Sequence, residues 1–179
     1  QGMRLRDRVL ATMKSRDTEG AFELYVTRTP GYLWALLFRR LGVHPIAVTL
    51  ASIVIGAAAG YFFYFPSREM NLIGMLLLVW ANWYDCADGQ LARMTGKKTL
   101  IGRILDGFAG DVWFFCIYLA IALRLTHAWT GLADFMQHDA WVWALMAWAG
   151  LHCHSRQCAL ADYYRNIHLW FLLGKQGSE

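Results

Sequence analysis

Four stretches of the chain, residues 45–65, 71–92, 102–125 and 140–158, are apolar over about the 20 residues that a helix needs to cross a hydrocarbon core. They predict an all-α fold, a polytopic transmembrane helix bundle. Ahead of them, residues 31–41 (GYLWALLFRRL) are too few to cross. They set Trp34, Leu37 and Phe38 beside Arg39 and Arg40, the pattern of a helix lying in the membrane interface. Residues 3–23 mix charges of both signs with Leu5, Val9, Leu10 and Met13 and read as a further surface helix. The chain then divides into a tag-like Gln1-Gly2, a cytoplasmic and interfacial segment over 3–44, a membrane domain over 45–174, and the start of a loop over 175–179.

Composition supports a bilayer as the solvent. Residues of the AVILMFWYC set make up 57% of the chain, and counting glycine in place of tyrosine gives about 61%, against about 45–50% in soluble domains. Mean hydropathy is +0.30. This excludes a disordered chain, a secreted disulfide scaffold and an ordinary soluble enzyme domain. Cys86, Cys116, Cys153 and Cys158 lie in or beside apolar runs without metal-site or disulfide spacing, and read as buried thiols. Gly56 and Gly60 form a GxxxG, read as a packing face for another helix rather than a specific dimer contact.

The net charge of +4 does not make a nucleic-acid patch, because the basic residues are spread between the apolar stretches, and no nucleic-acid partner is expected. Their distribution is topological. Arg4, Arg6, Arg8, Lys14, Arg16, Arg28, Arg39 and Arg40 precede the first stretch. Arg93, Lys97, Lys98 and Arg103 flank the second connection, and Arg156, Arg165 and Lys175 belong to the end of the fourth. Only Arg68 and Arg124 fall on the other side, so the positive-inside rule places both termini and the 94–101 loop in the cytoplasm. The expectation is an integral protein of an inner or plasma membrane.

Against this background Asp85, Asp88, Asp106 and Asp111 stand out. A carboxylate at a bilayer centre costs roughly 2.5–3.5 kcal/mol on insertion scales, so four left uncompensated cost on the order of 10 kcal/mol. Arg93 and Arg103 are too few to pair them all. Asp85 and Asp88 share a helix face, about 60° apart, and Asp106 falls at a similar depth in the following helix. Converging carboxylates suit a hard divalent ion, Mg²⁺ or Mn²⁺, and through it a phosphate-bearing substrate. Gly89 and Ala92 leave room for a ligand, and Arg93 offers a fork to a phosphate.

Written out, Asp85-x2-Asp88-Gly89-x2-Ala92-Arg93-x8-Gly102-x3-Asp106 resembles the signature of the CDP-alcohol phosphatidyltransferase family, D-x2-D-G-x2-A-R-x8-G-x3-D-x3-D, at seven of its eight fixed positions. The resemblance implies a membrane enzyme that transfers a phosphatidyl or phosphoalcohol group from a CDP-linked lipid or CDP-alcohol donor to an alcohol acceptor, releasing CMP, in phospholipid or phosphosphingolipid synthesis. It implies Asp85, Asp88, Asp106 and Asp111 as metal ligands, and Thr49, Asp88, Gly89, Ala92, Arg93 and Gly102 around the CDP. It also implies six spans, with four visible here and the natural chain continuing past Glu179, a homodimer, contacts with membrane lipids, and an active site facing the cytoplasm. Pro45-x3-Thr49 is similar to the family's entry to its first span, with Ile46 where Asn is frequent.

One departure bears on mechanism. The family's last Asp, its general base, falls on Gly110 here, and the carboxylate comes one residue later at Asp111. In a regular helix Asp111 stands about 140° from Asp106, so a π-bulge over residues 107–110 is expected to return it to the site as the catalytic base. The alternative is a catalytically silent, CDP-binding relative acting as a scaffold subunit. A small ion transporter or channel would explain the charges but not the Gly, Ala and Arg spacing. At the end of the fourth stretch, His154, Arg156 and Arg165 suit a polyol or anionic acceptor such as inositol or inositol phosphate; a solvated helix end is the plainer reading. The neighbours His152, Cys153 and His154 diverge on a helix and make a poor chelate.

Overall fold

The computed structural model describes residues 23–126 and 139–173, together with Val9. The tag-like start, the rest of the expected surface helix and the 175–179 loop start lie outside the described residues. Every described element is helical. A π-helical turn, Leu24–Arg28, runs into α1, Thr29–Arg40; α2 spans Pro45–Phe63, α3 Arg68–Thr95 and α4 Leu100–Thr126. Further on, α5, Ala140–Ala147, continues through a π-helical stretch, Trp148–His154, into α6, Ser155–Leu173. The chain forms two compact units, Gln1–Ala120 and Ile121–Glu179.

Local chemistry sets the breaks in the first unit. α1 ends where Gly42 takes φ +69°, a left-handed conformation that costs glycine least. Val43 N–H donates back to the Phe38 carbonyl at 3.0 Å and Gly42 N–H to Arg39 at 3.2 Å, a Schellman closure. α2 starts at once, with Pro45 at its first position and the His44 ring nitrogen Nδ1 accepting from Ile46 N–H at 3.3 Å. α3 ends at Gly96, φ +68°, and α4 begins behind Thr99, whose hydroxyl accepts from Gly102 N–H at 3.0 Å.

Small residues let the helices close. A Cβ on Gly60 would lie 2.7 Å from the Cβ of Cys116 on α4, and one on Gly56 would run into the Trp113 indole. The GxxxG of α2 is thus filled by α4 of the same chain, as the packing-face reading expects. Ala81, Ala109 and Trp113 form a core among α2, α3 and α4, while Ala35, Val48, Ala87 and Leu91 form one among α1, α2 and α3. Trp34, Phe38, Trp80 and Tyr84 stack between α1 and α3, with Trp34 and Tyr84 ring centres 5.0 Å apart. α1 buries Gly31, Tyr32 and Ala35 in this way and leaves Leu33 and Leu37 exposed.

Two described helices are long and apolar enough to cross a membrane, α2 with mean hydropathy 2.0 and α4 with 1.7. Their most apolar windows are only 33% and 22% buried, so most of their apolar surface faces outward, as on a lipid-facing helix. The other two expected spans differ from expectation. α3 forms over residues 71–92 but carries Arg68, Glu69, Asp85, Asp88 and Arg93, which remove it from the purely apolar class. The stretch 140–158 is the front of a helical run that reaches Leu173, winds as a π-helix over Trp148–His154 and gains polar residues from His152 onward.

The contact at Gly60 gives the first prediction. Gly60→Ala should destabilise the protein by about 1–3 kcal/mol through overpacking against the Cys116 backbone. A lowered thermal midpoint in detergent, with Gly107→Ala as a comparison because nothing lies within 4 Å of its Cβ direction, checks it.

Candidate active site

The connection 96–99 is short, so the end of α3 and the start of α4 must lie side by side. Asp85 and Asp88 occupy one face of α3, three residues apart, and Asp106 sits in the second turn of α4. The structure brings these three together: one carboxylate oxygen from each lies within 4.8 Å of the others. Asp88 is buried, Asp85 half-buried and Asp106 exposed, so the cluster is open on the α4 side.

α2 supplies the hydroxyl that holds Asp88. The Oγ1 of Thr49 reaches both the Pro45 carbonyl, at 3.2 Å, and Oδ2 of Asp88. With one proton to give, it donates to the carboxylate, the stronger acceptor. Ser52 in turn donates to the Thr49 carbonyl at 2.7 Å, and Val48, Thr49 and Ser52 are all buried. Thr49 therefore touches the cluster itself.

These residues fit a divalent cation. Oδ1 of Asp85 is buried without a hydrogen-bond partner among the described residues, an acceptor that a cation would satisfy. Around an octahedral ion with oxygens at about 2.0–2.1 Å, neighbouring oxygens stand about 3 Å apart and opposite ones about 4 Å; the three oxygens here, within 4.8 Å of one another, are near enough to draw in on one ion. Asp85, Asp88 and Asp106 would hold such an ion.

The remaining expected residues fall in two groups. Gly89, Ala92 and Arg93 continue along α3 next to the carboxylates, and the Arg93 guanidinium folds back over Gly89, 3.5 Å from where a Cβ would be. Gly102 lies at the start of α4, where a Cβ would press on the Thr99 cap at 3.0 Å. His154, Arg156 and Arg165 belong to the second unit. There His152 Nε2 contacts Arg156 Nη1 at 3.3 Å and His154 Nε2 contacts Cys158 Sγ at 3.7 Å, each pair one turn apart on an exposed surface. Cys153 and Cys158 are exposed, against the expectation of burial, and Cys86 and Cys116 are half-buried.

The π-bulge expected over residues 107–110 is the main correction. α4 is regular α-helix through residues 107–111, with no π-bulge, so Asp111 keeps its position about 140° round from Asp106 and is exposed. It is not one of the three carboxylates that converge. The π-helical turns occur elsewhere, at Leu24–Arg28 and Trp148–His154. Two buttresses of the site carry no sequence signal. Trp83 Nε1 donates to the Val26 carbonyl and the fully buried Gln90 donates to that of Arg28, tying the N-terminal segment to α3.

Comparison with known proteins covers the same part of the chain. The model of the CDP-alcohol phosphatidyltransferase family matches residues 42–165, which takes in every candidate residue above and leaves out the N-terminal segment. An archaetidylinositol phosphate synthase of Pyrococcus horikoshii is 36% identical over 83 residues, 46% of this chain and 43% of that protein. The match thus spans less than half of that relative's length. No solved structure matches the chain.

Removing the Thr49 hydroxyl leaves a buried carboxylate oxygen without its donor, so Thr49→Val should cost about 1–3 kcal/mol and Thr49→Ser much less. Thermal unfolding of the two variants in chelator-treated detergent solution measures the difference.

Proposed function

The chain belongs to the CDP-alcohol phosphatidyltransferase family, and we propose that it is a divalent-metal-dependent phosphotransferase acting on a CDP-activated lipid, with CDP-diacylglycerol as the first candidate donor. The observation that carries this reading is the convergence of Asp85, Asp88 and Asp106, buttressed by Thr49. Mg²⁺ or Mn²⁺ held there supplies charge neutralisation to the diphosphate. Gly89, Ala92, Arg93 and Gly102 take the CDP, with Arg93 placed to fork a phosphate oxygen.

The acceptor hydroxyl attacks the phosphorus that carries CMP, the phosphorus–oxygen bond to CMP breaks, CMP leaves, and the hydroxyl proton passes to a carboxylate for which Asp111 is the candidate. An inositol phosphate acceptor is supported by the name of the archaeal relative, with His154, Arg156 and Arg165 as its proposed contacts. We place the protein in a membrane with the cluster on the cytoplasmic side, in keeping with the Arg and Lys distribution, and propose that it acts as a homodimer. The outward position of Asp111 favours one second reading, a silent relative that binds CDP and metal without turnover.

The test is CMP release from CDP-diacylglycerol with serine, glycerol 3-phosphate, inositol and inositol phosphate in turn. Release should require added Mg²⁺ or Mn²⁺, stop with chelator, and fall by at least about 10²-fold in Asp88→Asn. Asp111→Asn should abolish it as well if that residue is the base. Binding of CDP-diacylglycerol with no release from any acceptor selects the silent relative.

A further inference from the structure

One end of each of α1, α2, α3 and α4 comes to the same place. Pro45 opens α2 directly after the short joint that follows α1, and a Cβ on Gly102 would stand 3.8 Å from Cγ1 of Ile46, so the starts of α2 and α4 touch. Val43 and Met94 both pack on the core of Ala35, Val48, Ala87 and Leu91, which brings the end of α3 to the same level. The α1–α2 joint, residues 41–44, and the α3–α4 turn, residues 96–99, therefore form one rim. α2 and α4 are the two described helices long and apolar enough to cross a membrane, and both set out from this rim, at Pro45 and Leu100.

The rim carries charge of one sign. Arg39 and Arg40 end α1, Lys97 and Lys98 stand in the α3–α4 turn, and all four are exposed without an ion pair among the described residues. No acidic residue occurs between Leu24 and Arg68 or between Gly89 and Leu105. Bare apolar side chains stand among these cations: Leu41 is 66%, Leu100 71% and Ile101 64% exposed. On α1, Leu33, Leu37 and Arg40 lie within about 60° of one another, on the side away from the buried Gly31 and Ala35. A soluble polyanion would pair the cations and leave the leucines in water. A bilayer interface takes both, with phosphates at the cations and acyl chains at the apolar edge.

We propose that this rim is a docking surface for anionic phospholipid, with headgroup phosphates held by Arg39, Arg40, Lys97 and Lys98. The outward leucines of α1 and the first turn of α4 enter the acyl boundary beside them. The proposal rests on the membrane placement above and adds a lipid class to it, and it does not depend on the reaction. None of the four cations belongs to the carboxylate cluster or to the residues proposed to take CDP, so the surface is separate from the reacting centre. Each Lys or Arg close to an anionic surface strengthens association about fivefold, and added salt screens the gain.

The experiment equilibrates the full chain in detergent with an equimolar mixture of phosphatidylglycerol and phosphatidylcholine and measures, by mass spectrometry after gel filtration, the ratio of the two lipids retained. The unaltered protein should favour phosphatidylglycerol, and 0.5 M salt should reduce that preference, with 0.5 M taken as about the concentration at which the Debye length falls below 5 Å. Combining Arg39→Gln, Arg40→Gln, Lys97→Gln and Lys98→Gln should lower the ratio by about fivefold or more, while Arg39→Lys with Arg40→Lys keeps it, because charge decides. If the fourfold variant does not fold, the two Gln pairs made separately carry the test, each lowering the ratio. A ratio near one in the unaltered protein, or the same ratio in the Gln variants, overturns the proposal. Binding of transfer RNA that is lost in the Gln variants while the lipid ratio stays put assigns the surface to a soluble polyanion and overturns it as well. Flotation with neutral phosphatidylcholine vesicles separates the two readings: protein that does not float sinks the membrane placement together with the proposal, whereas protein that floats but shows no preference sinks the proposal alone.

Discussion

Three carboxylates drawn together at the ends of apolar helices repel one another and lose hydration at the same time, and the arrangement around them answers that problem. Asp88, the buried member, has a Thr49 hydroxyl aimed at it from α2. Asp106, the exposed member, keeps contact with the outside. Asp85 has an oxygen that no group among the described residues satisfies, an acceptor that a cation would use.

Holding such a cluster takes rigid surroundings. The glycines of α2 let Trp113 and Cys116 of α4 approach until side chain meets backbone, which fixes α4 and with it Asp106. Thr99 caps α4 and the left-handed Gly96 closes α3, so the turn between the carboxylate-bearing ends has little freedom in length or direction. On the far side of α3, the aromatic group of Trp34, Phe38, Trp80 and Tyr84 and the two carbonyl ties press the N-terminal segment into place.

The cluster was legible in the sequence because burying charge in apolar helices is costly, and because spacings of three residues, and of one short turn between helices, have direct geometric meaning. The same reasoning located α2 and α4, where apolar length alone decides. It failed at Asp111: a missing carboxylate at position 110 invited a π-bulge, yet the regular helical hydrogen bonding of α4 persists, and the π-turns formed at Leu24–Arg28 and Trp148–His154 instead. The buttresses were illegible for a different reason. Trp83 and Gln90 act by donating to backbone carbonyls some sixty residues away, and a carbonyl acceptor carries no residue identity for a sequence pattern to expose.

The constellation that would hold the cation is completed between residues 85 and 106, inside one helix–turn–helix hairpin, with an outside prop at Thr49. Because one short turn joins the two carboxylate-bearing helix ends, the spacing of the three oxygens is set by local backbone geometry and is insulated from shifts of helices that do not touch the hairpin.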